Sequence, residues 1–90
     1  MDIEDERRLA SERMELYRAR YRQLGDVCFP VQIALRWEQA LRVEPVDKIA
    51  LREIAGEAKG RQREFDVAFF TFCNHMEAVV GDIWRDSPCR

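Results

Sequence analysis

The stretch FDVAFFTFCNHMEAVVGDIW, residues 65–84, constrains the fold more than any other feature of the chain. Thirteen of its twenty residues are apolar, and four of the five phenylalanines lie between positions 65 and 72. At about 100° per residue, most of these side chains fill one continuous arc of about 160° on a helical wheel. Asp66, Glu77 and Asp82 interrupt the stretch, and charges are costly at membrane depth. It therefore predicts an amphipathic helix of a soluble protein rather than a membrane span.

Two apolar residues of this stretch fall outside the arc. Phe70 lies just beyond Trp84 at the edge of the arc, and Val67 lies nearly opposite its centre. Further apolar positions in the two preceding helical segments exceed what a small monomer needs to bury. We therefore predict a partner interface that includes Val67, Phe70, Trp84, Leu9, Leu16 and Trp37.

The same apolar spacing continues backward from residue 65 to Leu51. It predicts one long helix over about 47–85, with Asp47 as its N-cap. Gly56 and Gly60 oppose continuity, since each costs about 1 kcal/mol relative to alanine in a helix interior. A bend is therefore expected between Gly56 and Gly60.

Two more helices are predicted before residue 47. A narrow apolar stripe indicates a helix over about 3–24, and a broader one that includes Trp37 indicates a helix over about 31–44. No segment shows the sustained alternation of a strand. The expected fold is all-α, one domain over 1–90 built from about three helices, which pair with a second copy as a dimeric helical bundle.

Composition indicates which kinds of partner and which cellular location to expect. The net charge is −2, and seventeen acids are mixed with fifteen bases along the whole chain, which favours ion pairs over nucleic-acid attraction. The start, MDIEDERR, lacks the basic and apolar regions of a secretory signal. Three widely spaced cysteines fit neither a disulfide framework nor a zinc module. We expect a cytoplasmic protein with reduced thiols.

The segment FCNHME contains the residues closest to a metal or haem site. Cys73 and His75 are two positions apart, so on a helix they point about 200° away from each other. No paired C-x-x-C or H-E-x-x-H motif completes a site, and no nucleophile or phosphate-loop motif is present. We therefore expect no cofactor, no metal and no catalytic activity.

The segment ALREIAGEA, residues 50–58, resembles the first helix of the helix-turn-helix in TetR-type repressors. The resemblance implies DNA binding, with Arg61 and Arg63 as phosphate contacts. The residues that follow lack the usual glycine-valine-serine turn, and Asp66 and Phe69 stand where a recognition helix needs polar, DNA-facing side chains.

The preferred interpretation is a small protein–protein interaction module, of a regulatory, adaptor or chaperone-like kind, that acts through apolar helical faces. The alternative is a small DNA-binding transcriptional regulator that uses a degenerate helix-turn-helix around residues 50–72. The expected partners are a second copy and another protein, with no membrane.

Overall fold

The computed structural model describes residues 2–85, and these residues are 87% helical with no strand among them. Four helices of seven or more residues are present: α1 (Ile3–Arg20), α2 (Phe29–Arg42), α3 (Lys48–Gly60) and α4 (Val67–Arg85). Short 3₁₀ segments, Arg22–Val27 and Gln62–Glu64, lie between α1 and α2 and between α3 and α4. The all-α prediction is therefore confirmed.

The described residues form two compact units, one over Asp2–Asp47 and one from Lys48 onward. In the first unit α1 packs against α2, and in the second α3 packs against α4. The prediction of a single domain over 1–90 stays a prediction.

The first helix is shorter than predicted, ending at Arg20 instead of continuing to residue 24. The N–H of Leu24 donates to the carbonyl of Tyr21 at 2.9 Å, a three-residue bond that tightens the chain. Gly25 then takes φ = 64°, a left-handed conformation that glycine adopts without a side-chain clash. The second helix begins two residues earlier than predicted, at Phe29, with Pro30 in its first turn.

Packing in the first unit buries both faces that the sequence marked as apolar. Ala10, Met14 and Tyr17 of α1 are buried, as are most apolar residues of α2. The guanidinium of Arg7 donates two hydrogen bonds, of 3.1 and 2.7 Å, to the carbonyl oxygen of Leu41. This carbonyl lies in the last turn of α2, where it has no partner within the helix, so Arg7 caps the end of α2.

A continuous helix over 47–85 is not what the structure contains. The chain leaves α-helical geometry after Gly60, because the N–H of Arg61 bonds to the carbonyl of Ala58 and that of Glu64 to the carbonyl of Arg61. A new helix then starts at Val67. The carboxylate of Asp66 accepts a 3.1 Å hydrogen bond from the N–H of Phe69, which is the geometry of an N-cap. The interruption therefore lies at 61–66, just after the Gly56 to Gly60 segment where a bend was expected.

Candidate functional site

The wide apolar face of α4 is buried as the helical wheel predicts. Phe72 is 1% exposed, and the other fully covered residues of the arc are Phe69, Cys73, Met76, Val79 and Ile83. Phe70 and Val67, which fall outside the arc, are exposed to 43% and 79%. The wheel therefore separates these buried residues from Phe70 and Val67 correctly.

Trp84 is 39% exposed, although the wheel places it within the arc. The guanidinium of Arg52 on α3 lies over its indole, 5.3 Å from the ring centre. This is cation–π distance, so Arg52 contacts one face of the Trp84 ring, which stays partly exposed. Ile49, one turn before Arg52, is 65% exposed and lines the same groove as Trp84.

A second contact fixes the direction of the two helices. The ammonium of Lys59 on α3 lies 3.0 Å from a carboxylate oxygen of Glu77 on α4. This contact and the Arg52–Trp84 contact are seven residues apart on each helix, in opposite order along the chain. α4 therefore runs antiparallel beside α3 as a helical hairpin.

A notch of small residues lies between these two contacts. It is lined by Ala55, Gly56, Val80 and Gly81, with Arg52 and Glu77 at its rim. A β-carbon added at Gly56 would have no neighbouring atom within 4 Å, and one at Gly81 would meet only the end of the Arg85 side chain at 3.9 Å. The notch and its two rims, together with Phe70 farther along α4, form the candidate site, here called the α3–α4 surface.

The other predicted interface residues belong to the first unit. Trp37 is fully buried at 0% exposure, so its prediction as a surface anchor is wrong: the breadth of the apolar face of α2 reflects core packing. Leu9 and Leu16 on α1 are half-buried. Phe70 and Trp84 are exposed on one side of α4 in the second unit, whereas Leu9, Leu16 and Trp37 belong to the first unit.

Sequence reasoning missed Ile49, Gly56 and Gly81 as parts of this surface. Ile49 lies outside the apolar register traced through α3, and that mismatch is the signal by which it could have been found. The sequence marks Gly56 only as a weak point for helix continuity and carries no signal at Gly81. Their role as open space becomes visible once α3 and α4 lie side by side.

The arginines of the DNA-binding alternative are placed at the turn between α3 and α4. Arg61 donates two hydrogen bonds, of 3.0 and 2.7 Å, to one carboxylate oxygen of Glu64, and these bonds lower the pKa of Glu64 below its ordinary value. Arg63 is exposed. Helices of a helix-turn-helix cross at about 90–120°, whereas α3 and α4 run alongside each other. This geometry does not favour the helix-turn-helix.

The residues of the FCNHME segment point in different directions, in line with the wheel. Cys73 and Met76 are buried, whereas His75 is half-buried. Burial raises the pKa of the Cys73 thiol to about 11, and the negative charge of Glu77 adds to the shift. Such a thiol is protonated and unreactive at neutral pH. Among residues 2–85, no group of three or more His, Cys, Asp or Glu side chains is arranged to hold a metal ion.

No family model, curated protein or solved structure matches the chain. Within the described part of the chain, no helix has both the length and the apolar character needed to cross a bilayer.

Proposed function

We propose that this chain is a protein–protein interaction module whose docking site is the α3–α4 surface. The observation that carries the proposal is the exposure of two large aromatic side chains, Phe70 and Trp84, on one side of α4. They are fourteen residues apart, which is about 21 Å along a helix. That separation matches the reach of a docked partner helix.

The chemistry of these residues supports binding to protein. Aromatic side chains contribute much of the binding energy at interfaces, because they bury a large apolar area with few rotatable bonds. The Arg52 contact restricts the Trp84 ring in the free protein. A restricted anchor loses less conformational entropy on binding than a free one.

The polar groups of the surface support recognition rather than catalysis. Arg52 contacts Trp84, Lys59 is paired with Glu77, and Asp82 is paired with Arg85 at 3.0 Å. Their charged groups are engaged with neighbours rather than converging on one point where a substrate would react. We accordingly propose a non-enzymatic role, in the cytoplasm, where the three cysteines stay reduced.

The test is capture of binding proteins from the native cell by the tagged wild-type chain, by Phe70→Ser and by Trp84→Ser. We expect both variants to lose the same captured protein while keeping their helix content. Gln39→Ser, at an exposed position on α2, is the matched control and should retain it. A captured protein that binds wild type and both α4 variants equally would contradict docking at the α3–α4 surface.

A further inference from the structure

One row of surface residues runs the length of α4 with spacings of three, four, three, four and three. Its members are exposed or, for the glycine, half-buried: Val67, Phe70, Asn74, Glu77, Gly81 and Trp84. Alternating spacings of three and four keep a row on one side of a helix, as in helices that pack along their length. The row borders the notch, since Gly81 and Glu77 belong to both.

The spacings of this row are the same in both directions along the helix. An identical row on an antiparallel helix can therefore face it position by position. We propose that the partner of the α3–α4 surface is a second copy of this chain, with α4 antiparallel to α4 and the two-fold axis between positions 75 and 76. Val67 then faces Trp84 of the second copy, Phe70 faces Gly81, and Asn74 faces Glu77. This inference rests on the proposed function and names its partner.

Each of the three facing pairs is chemically complementary. Val67 and Trp84 are both apolar, and the exposed side of the Trp84 ring needs such a cover. Asn74 carries amide N–H donors that suit the carboxylate of Glu77. A two-fold interface requires this self-complementarity, because every contact is made twice with the roles exchanged.

The pairing of Phe70 with Gly81 gives the notch an occupant. A phenylalanine of the second copy enters between Gly56 and Gly81, where added side-chain atoms meet open space. The backbone conformation at position 56 does not require glycine, since Gly25 is the only described glycine with a positive φ. In the middle of α3, glycine favours the helix less than alanine would. Close approach of a partner side chain accounts for a glycine there.

Charge near the two-fold axis is also balanced. Glu77 of each copy lies close to the axis, where two carboxylates alone would repel each other. Each Glu77 is already paired with its own Lys59 at 3.0 Å, so the two copies bring two acids and two bases together. Arg52 lies at the far rim of the notch, over Trp84.

Sedimentation of the untagged chain at micromolar concentration tests the pairing. Wild type is expected at about twice the 10.7 kDa chain mass. Gly81→Phe places a phenylalanine where Phe70 of the second copy must fit, and should raise the dimer dissociation constant about tenfold or more. The double variant Phe70→Ala/Gly81→Phe exchanges large and small, so it should regain the dimer. Gln39→Phe adds an exposed phenylalanine on α2 and should leave the mass unchanged.

Three results would overturn the inference: a monomeric wild type, a Gly81→Phe variant that dimerises as well as wild type, or a double variant that fails to regain the dimer. Circular dichroism of each variant identifies any loss of helix. The proposed function is judged separately, because a monomeric wild type that still captures a cellular protein through Phe70 and Trp84 keeps the docking surface and loses only the second copy as its partner.

Discussion

At the scale of single residues, two phenylalanines two positions apart on α4 have opposite environments. Phe72 is 1% exposed and lies among the buried residues of the arc, whereas Phe70 is 43% exposed at the border of the α3–α4 surface. Side chains two residues apart on a helix point about 200° away from each other, so these two phenylalanines lie on opposite sides of α4. We expect stability to depend on Phe72 and association on Phe70.

We expect Phe72→Ala to lower the free energy of unfolding by about 3–5 kcal/mol, because it removes a buried ring and leaves a cavity. That loss is comparable to much of a small domain's total stability. Phe70→Ser should leave the melting temperature nearly unchanged in the monomer and weaken association. Thermal melts and binding measurements on both variants check this. Equal destabilisation by the two substitutions would place Phe70 in the core.

The thiol of Cys73 gives a pH dependence that follows from its burial. Its pKa in the fold is about 11, above the ordinary value of 9.0. The folded state therefore holds this proton more tightly than the unfolded chain, so its stabilising contribution is complete below pH 9 and is lost as the pH rises towards 11. Urea unfolding between these pH values should show a steeper loss of stability for wild type than for Cys73→Ala. Parallel curves for the two proteins would contradict the burial argument.

At the scale of elements, the break between α3 and α4 is decided by a cap. Glycine is unfavourable in a helix, so Gly56 and Gly60 are the expected weak points. Both nevertheless belong to α3, and neither has a positive φ. The chain instead stops at 61–66, where Arg61 pairs with Glu64 and Asp66 begins the next helix. The sequence FDVAFF contains the relevant signal, an aspartate directly before an apolar run. Its meaning was hidden by the apolar register, which passes through Phe65 without a break.

Asp66→Ala is expected to lower the free energy of unfolding by about 1 kcal/mol, because the N–H of Phe69 loses its acceptor. Asp66→Asn and Asp66→Ser keep an oxygen at the same place and should retain most of the stability. Urea denaturation of the three variants measures the difference. If Asp66→Asn loses as much as Asp66→Ala, the effect comes from the charge and not from the cap.

At the scale of the whole molecule, charge is distributed as short-range pairs. Arg8 pairs with Asp5, Arg61 with Glu64, and Arg85 with Asp82, each three residues apart on the surface. Exposed pairs of this kind add little stability, because water screens the attraction between the charges. With a net charge of −2, the chain mixes acidic and basic residues along its sequence.

We therefore expect no measurable binding to duplex DNA at physiological salt. Binding through phosphates weakens steeply as salt rises, whereas association through the apolar α3–α4 surface should change little. Fluorescence anisotropy with labelled duplex DNA over a salt series distinguishes the two. Tight binding that falls with salt and is lost in Arg61→Gln/Arg63→Gln would revive the helix-turn-helix interpretation.

The sequence by itself determined the all-α class and the buried face of α4. Both follow from local periodicity, because the direction of each side chain on a helix depends only on its position along that helix. Phe69, Phe72 and Met76 on the one side, and Phe70 and Val67 on the other, were therefore separable without coordinates.

Tertiary structure alone decided whether each of the two tryptophans reaches the surface. Trp37 is covered and Trp84 is partly open, although both are tryptophans in strongly apolar segments. The open space between Gly56 and Gly81 likewise exists only because α3 folds back along α4. The exposure of a side chain depends on what packs opposite it. For α3 and α4, the opposite residues are set by the chain reversal at 61–66, not by the spacing of residues along either helix.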